Sequence, residues 1–289
     1  MTKIGVLGAT GLLGTATINH LIEQGVTPAD IVGFYRNENK TAGLKQLGLT
    51  LRYGDYSQPS FNSDTLAGID RLLFISSSEE DNLVRLQEHL RVVNAAKQAG
   101  VSYIAYTGMA FPNDTSMPMG NVHLATEYMI KASGINFTMM RNSFYTEVIL
   151  SPEEVQFEVK TGKIFSNTNG VKLNFVARDD YAKANAKVLT TPGYEGRTLE
   201  LGSNHPYTFA DIASDLSSVS GHPIELVEEP AEQIERDLTA LGDKNALFFY
   251  QLHAGYQDGW GAHISNDLAD LIGENNITTP KQTIQDYLK

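Results

Sequence analysis

The chain has 289 residues, 42% of them hydrophobic, enough for one large domain with a smaller annex, and its formal net charge of -12 leaves no basic excess to neutralise a nucleic-acid backbone. It contains no cysteine, which excludes disulfides, thiolate nucleophiles and Cys-ligated zinc or iron-sulfur centres, so redox chemistry has to come from a bound cofactor. No apolar run approaches the roughly 20 residues that span a bilayer, no secretory leader pattern precedes the first strand, and the expectation is a cytoplasmic protein without a membrane or nucleic-acid partner.

The first stretch, Lys3 to Leu21, joins an apolar run at Ile4, Val6 and Leu7 to the glycines Gly8, Gly11 and Gly14, then to an amphipathic helix pattern through Ile18, Leu21 and Ile22. Strand, tight turn and helix in this order make a dinucleotide-binding fingerprint. Gly8 permits the turn, Gly11 lets backbone amides approach a pyrophosphate, Gly14 lets the helix pack closely, and the phosphates sit at the helix's positive end. Ala9, Thr10, Leu12 and Leu13 complete the loop. Next, Ile31 to Tyr35 reads as a second strand ending at Arg36 and Asn37, where an acid would accept from the adenosine ribose. A guanidinium there pairs instead with a 2'-phosphate, which predicts NADP(H) in preference to NAD(H).

A helix is predicted from Glu38 to Gln46 and a strand from Leu49 to Tyr53, closing at Gly54-Asp55-Tyr56. Asp55 and Tyr56 then either flank an adenine at the carboxyl edge of the sheet or serve as a loop acid and a packed tyrosine. Arg71 to Ile75 is a buried strand ending in Ser76, Ser77 and Ser78, small polar residues suited to ribose and phosphate and equally common in linkers. Leu83, Leu86, Leu90 and Val93 recur at helical spacing and predict a core helix capped at Gly100. A strand from Val101 to Tyr106, a polar loop from Gly108 to Gly120, a helix from Val122 to Ser133 ended by Gly134, and a strand from Ile135 to Met140 follow. This alternation predicts an α/β fold, a Rossmann-type doubly wound parallel sheet with right-handed crossovers.

Beyond Arg141 the alternation loosens. Glu153 to Lys160 reads as helical, Val171 to Val176 as extended, and Asp179 to Leu189 as a helix with alanines on a tight face. Thr208 with Asp211 resembles a capping box, and short helices are expected from there to Leu288. The predicted organisation is an NADP-binding domain over 1–151 and a smaller, mostly helical substrate-side annex over 152–289, interleaved with the last strands.

None of the 13 tyrosines starts the Tyr-x-x-x-Lys pattern through which short-chain dehydrogenases protonate a carbonyl; Tyr128 precedes Lys131, one residue too early. Tyr106 is the best remaining tyrosine near the site, and catalysis is expected to survive its loss. The seven histidines stand apart in sequence with no metal-binding spacing, so no metal is expected. His123, after the polar loop and at the start of a helix, either meets a substrate or is a structural hydrogen-bonding residue. No Gly-x-Ser-x-Gly elbow occurs.

These segments together resemble the NmrA-like branch of the atypical short-chain dehydrogenases, on the side of its quinone- and triphenylmethane-reducing members. The carriers are GATGLLG at Gly8 to Gly14, YRN around Arg36, GDY at Gly54 to Tyr56, SSS at Ser76 to Ser78, AYTG at Ala105 to Gly108, NVHLATEYMI at Asn121 to Ile130, RNSFYTE at Arg141 to Glu147, and DLADLIG near the C-terminus. The resemblance implies an NADPH-dependent reductase whose glycine loop, Arg36 and Ser76 to Ser78 hold the cofactor. It also implies that Asn142, Ser143, Phe144, Tyr145 and Phe175 line the nicotinamide side and that the loop around Phe111 covers the substrate. Where isoflavone-reductase relatives carry a lysine, this chain has His123, so their proton-donor mechanism does not transfer. A quinone or a cationic triarylmethane dye needs little enzyme acid when it accepts hydride, and Tyr145, Phe144 and Phe111 would stack a flat acceptor or else pack in the core. The implied protein is a monomer or homodimer acting on a small aromatic substrate; the rival implication is an NADP-binding redox sensor without turnover.

Overall fold

The computed structural model describes residues 2–115, 117–243, 246 and 259–289. In chain order the elements begin with β1 (Ile4–Val6), α1 (Leu12–Glu23), β2 (Ile31–Tyr35), α2 (Ala42–Gln46), β3 (Thr50–Tyr53), β4 (Arg71–Ile75), α3 (Asn82–Ala99), β5 (Tyr103–Met109), α4 (Met119–Ser133) and β6 (Asn136–Asn142). They continue with β7 (Phe144–Tyr145), α5 (Thr146–Ile149), α6 (Pro152–Thr161), β8 (Lys163–Ser166), β9 (Phe175–Val176), α7 (Arg178–Thr190) and β10 (Arg197–Leu201). The last are α8 (Phe209–Ser220), β11 (Glu225–Glu228), α9 (Ala231–Ala240), α10 (Asp267–Ile272) and α11 (Pro280–Tyr287). No helix among the described residues is long and apolar enough to cross a membrane.

The chain divides into two compact units. The first comprises Met1–Asn113, Pro118–Asn142 and Arg178–Leu201, and carries a seven-stranded parallel sheet in the order β10-β6-β5-β4-β1-β2-β3. This is the expected doubly wound α/β sheet, with the order reversing between β1 and β4. Its central strands are continuous apolar runs buried on both faces, as parallel sheets require. Phe34, Leu72, Phe74, Ile104, Tyr106 and Met139 form one core cluster with Val92, Val93 and Ala96 of α3. On the other face α7 packs against α1 with Ala182 and Ala186 fully buried, which is the tight alanine face read from the sequence.

Three local expectations need correction. Helix α3 does not bury its leucine stripe: Leu83 is 72% exposed and Leu90 45%, while Arg85, Glu88, His89, Val92, Val93 and Ala96 face inward. Of the polar members of that inner face, Glu88 and His89 find partners in Ser77, which follows β4, and in Thr126 of α4, so helical period alone does not identify the core side. The predicted helix over Glu38 to Gln46 is a 3-10 turn at Glu38–Lys40 followed by the short α2. Finally, β10 was not anticipated. Its half-buried Thr198 and Glu200 alternate with the buried Leu199 and Leu201, Arg197 opens the strand exposed, and it pairs with Thr138 to Asn142 of β6 at the edge of the sheet.

The second unit comprises Asp114–Met117, Ser143–Ala177 and Gly202–Lys289. It holds two small parallel pairs, β7 with β9 and β8 with β11. Around them Ile149, Val155, Ile164, Phe175, Phe209, Ile212, Leu216 and Ile284 form a separate core. Only Phe175–Val176 of the expected extended stretch is a strand, although Leu173 bridges to Tyr207. The capping box at α8 is present: the Asp211 amide donates to the Thr208 hydroxyl at 3.1 Å and the Thr208 amide to the Asp211 carboxylate at 2.8 Å.

Candidate dinucleotide site

The turn after β1 is built by backbone contact. Gly8 has φ +66°, and its carbonyl accepts from the Gly11 amide at 2.9 Å. A Cβ on Gly14 would lie 2.3 Å from the Gly8 oxygen, so only glycine lets α1 begin this close to the strand. The Thr15 hydroxyl closes the turn on the Ala9 carbonyl at 2.9 Å. Gly11 stands at the N-cap of α1 with no side-chain cap, which leaves the first amides of that helix for a ligand.

Around this turn the carboxyl edge of the sheet opens into a cleft of about 540 Å³ lined by Gly8, Thr10, Gly11, Arg36, Asn37, Lys40, Asp55, Tyr56, Ile75, Ser76 and Ser78. Eight of the predicted cofactor residues therefore meet on one wall. Arg36 follows β2 directly and is exposed, and no hydrogen bond or ion pair engages it among the described residues. Asp55 accepts from the Ser57 amide at 3.0 Å and hydroxyl at 2.7 Å, so it is a turn-forming acid as well as a cleft residue. Tyr56 is buried and donates to the Ile75 carbonyl at 3.3 Å; burial pushes its phenol up to about 12, while Arg36 pulls the other way. Residue types, cavity size and free cations all fit an NADP-type dinucleotide. Asn37 stands on the wall beside Arg36, and Lys40 and Ile75 join it without a sequence signal; Lys40 comes to the cleft because the 3-10 turn after Arg36 returns it there.

The other predicted residues lie elsewhere. Ala9 is buried with its amide on the Phe34 carbonyl, Leu13 is buried, and Leu12 is exposed. Ser77 turns away from its serine neighbours into the core of the first unit. Its hydroxyl bonds Glu88, and its amide donates to His89 Nε2 at 2.9 Å. That acceptor role places the His89 proton on Nδ1, which stands 2.7 Å from the Thr126 hydroxyl, itself donating to the Val122 carbonyl at 2.8 Å. Tyr106 is fully buried on β5, with its hydroxyl 2.8 Å from His123 Nδ1. Burial raises the Tyr106 phenol far above its ordinary value. Burial first, and then the Arg85 charge, lowers His123 to about 4; burial, His123 and Arg85 together lower His89 to about 3. The structural reading of His123 and Tyr106 is thus the one their surroundings support.

Asn142 is buried at the end of β6, its carbonyl accepting from the Ala110 amide at 2.9 Å. Phe111 has left-handed backbone at φ +46°, and its amide donates to Glu200 Oε2 at 2.8 Å. Glu200 Oε1 takes Arg141 at 2.6 Å, and Arg141 forks onto Glu127 at 2.7 and 2.8 Å. In the second unit, Ser143 is buried with its hydroxyl on the Asn174 carbonyl at 2.9 Å, Phe144 lies edge-on to Trp260 at 4.7 Å, Tyr145 is half-buried, and Phe175 is a core residue.

Residues 1–268 match the model of the NmrA-like family. The chain belongs to that family. It is 35% identical to quinone oxidoreductase 2 of Escherichia coli (strain K12), with 95% of each chain covered. Among solved structures it superposes on the triphenylmethane reductase of Citrobacter sp. complexed with NADP(H) at a TM-score of 0.93, with 36% identity and 99% of each chain covered. The NADPH complex of an Escherichia coli NADPH-dependent quinone oxidoreductase follows at 0.89, with 31% identity over 99% of this chain and all of that one.

Proposed function

We propose that this protein is an NADPH-dependent reductase that delivers hydride to a flat aromatic acceptor of the quinone type. The observation that carries the reading is the cleft itself: a glycine turn and open helix end for a pyrophosphate, and at the end of β2 an exposed arginine where an NAD-selective acid would stand. The relatives' NADP(H) complexes and their activities on quinones and triphenylmethane dyes point the same way. In this reading 1–151 forms most of the cofactor domain and 152–289 most of the acceptor side, with Asn142, Ser143, Phe144, Tyr145 and Phe175 toward the nicotinamide.

The bound nucleotide would supply the hydride. The protein's own part is to hold and orient: Gly8 to Gly14 grip the diphosphate, Arg36 and Lys40 take the 2'-phosphate, and Ser76 and Ser78 face the ribose. No side chain is assigned as a proton donor, since a quinone oxygen can take its proton from water. Steady-state NADPH oxidation with menadione, benzoquinone and malachite green as acceptors tests the activity, and failure with every acceptor rejects it. Cofactor choice is tested by fluorescence titration of Arg36→Ala. Losing a charge-assisted contact of about 1.5–3 kcal/mol should weaken NADPH roughly tenfold to a hundredfold and leave NADH nearly unchanged. Equal weakening of both would remove Arg36 from the phosphate site.

A further inference from the structure

A cavity of about 280 Å³ lies wholly within the second unit and shares no wall residue with the dinucleotide cleft. Two loops frame it, Ser203 to Tyr207 after β10 and Glu274 to Thr279 before α11. The Asn174 carboxamide, 1% exposed, accepts from the Ser203 amide at 2.6 Å and donates to the Ser203 carbonyl at 2.5 Å. Tyr207 exchanges both backbone bonds with Leu173, at 2.7 and 2.8 Å, so the first loop is fixed at each end. The second runs into the capping box of α11, Thr279 with Gln282. Glu274 ties the two together, one oxygen accepting from Asn204 Nδ2 at 2.9 Å and the other standing 3.2 Å from His205 Nε2. The hollow is held open by bonds on both sides.

Its wall sorts ligands by charge. Phe175 and Tyr207 supply aromatic rings and Ile277 an aliphatic side chain, while Glu274 is the one carboxylate and no lysine or arginine stands among the described lining residues. The contact of Glu274 with His205, whose side chain is 74% exposed, is a rim pair of small worth, and the neutral Asn204 amide leaves the charge in place. Burial, then Asp215 and Asp211, hold the Tyr207 phenol above its ordinary value. Lys281 and Lys172 answer those two carboxylates from outside the wall. The one buried side-chain atom of the wall that lacks a partner, Asn204 Oδ1, is again an acceptor. Acceptors, a carboxylate and aromatic surface suit a flat ligand that brings N–H donors or positive charge, whereas an anion would lose its water beside Glu274. The volume is at the small end of ligand cavities and takes about two rings. We propose that this cavity is a second ligand site, for a small planar aromatic amine or cation, and that Glu274 selects the charge of its occupant. It adjoins the acceptor side through Phe175, which the reductase reading turns toward the nicotinamide, but binding there needs no turnover.

The test uses the full chain, with and without saturating NADP+, and calorimetric titration of three two-ring probes of matched shape at neutral pH: 4-aminoquinoline, a cation; quinoline, its neutral parent; and quinoline-4-carboxylate, an anion. Wild type should bind the cation roughly tenfold more tightly than quinoline, the size of one charge-assisted contact, and the anion more weakly than either. Glu274→Gln keeps the shape of the side chain and an oxygen for Asn204, so it should bring 4-aminoquinoline to about the level of quinoline while quinoline shifts less than about twofold and NADP+ is unchanged. Asn275→Trp, at an exposed position on the wall, should fill the cavity and remove binding of all three without lowering the melting midpoint. Equal affinity of wild type for the three probes, binding of none of them, or 4-aminoquinoline unaltered in both variants would each overturn the site. Displacement of 4-aminoquinoline by NADP+ would move it to the nucleotide cleft, with the same result. Failure of NADPH turnover with every acceptor leaves this site standing, and failure of these titrations leaves the reductase reading standing.

Discussion

The two sides of the parallel sheet arrange polar groups at their carboxyl edges in opposite ways. Over β1 to β3 the site is made of backbone: one positive-φ glycine, one glycine whose missing Cβ lets two backbones touch, and an uncapped helix end, with cations left open to solvent. Over β4 and β5 it is made of buried side chains that answer one another, Ser77 to Glu88 and His89, His89 to Thr126, Tyr106 to His123. The first arrangement selects a ligand by leaving donors free. The second fixes a core by leaving almost none.

The contrast breaks most visibly at Gly14. Gly14→Val puts a side chain against the Gly8 carbonyl, and since neither backbone can yield cheaply it should cost about 3 kcal/mol of stability and abolish NADP+ binding together. A variant that melts normally and still titrates with NADP+ would show that the close approach is not needed.

The buried side is probed by acid. His89 and His123 titrate at about 3 and about 4 in the fold, against about 6.5 for free histidine. Below pH 6.5 the unfolded chain takes up protons that the folded chain refuses, so stability is full above pH 7 and falls as pH drops toward 4. At pH 5 the loss is about 2 kcal/mol for each histidine. Urea midpoints at pH 7.5 and 5 measure it, and His123→Gln should flatten the dependence; an unchanged slope would place His123 outside the core.

The smallest expected effect sharpens the comparison furthest. Tyr106→Phe removes one buried hydrogen bond, worth about 1 kcal/mol of stability, and should leave quinone-reducing turnover within a few-fold of wild type. A fall of about a thousandfold, the scale of a lost general acid, would make this buried phenol a proton donor after all.

What could be read in the sequence follows the same division. Gly8, Gly11, Gly14 and Arg36 were legible because each acts within a few residues of a strand end. Ser77 was grouped with its neighbours, although alternate serines after a strand face opposite ways and only Ser76 and Ser78 reach the cleft. Arg85 drew no notice because a charged residue in a helix is read as solvated. Its burial depends on β4, β5 and α4 converging from up to 40 residues away, which helical period does not encode. Edge strand β10 is hidden for a related reason: its five residues, Arg-Thr-Leu-Glu-Leu, are a short mixed run, and nothing local marks them as the partner of β6.

That late strand bears on how the protein is made. The first unit borrows Arg178–Leu201, so during synthesis β6 waits with one edge unpaired, and α1 waits without α7, until the ribosome has added the 35 residues Ser143–Ala177 and the returning segment itself. A nascent chain stalled near residue 151 presents an open, apolar sheet edge, the surface on which partly folded chains associate. A recombinant fragment meant to isolate the nucleotide half would inherit the same exposed edge unless it carried residues 178–201, spliced in by a linker across the excised segment.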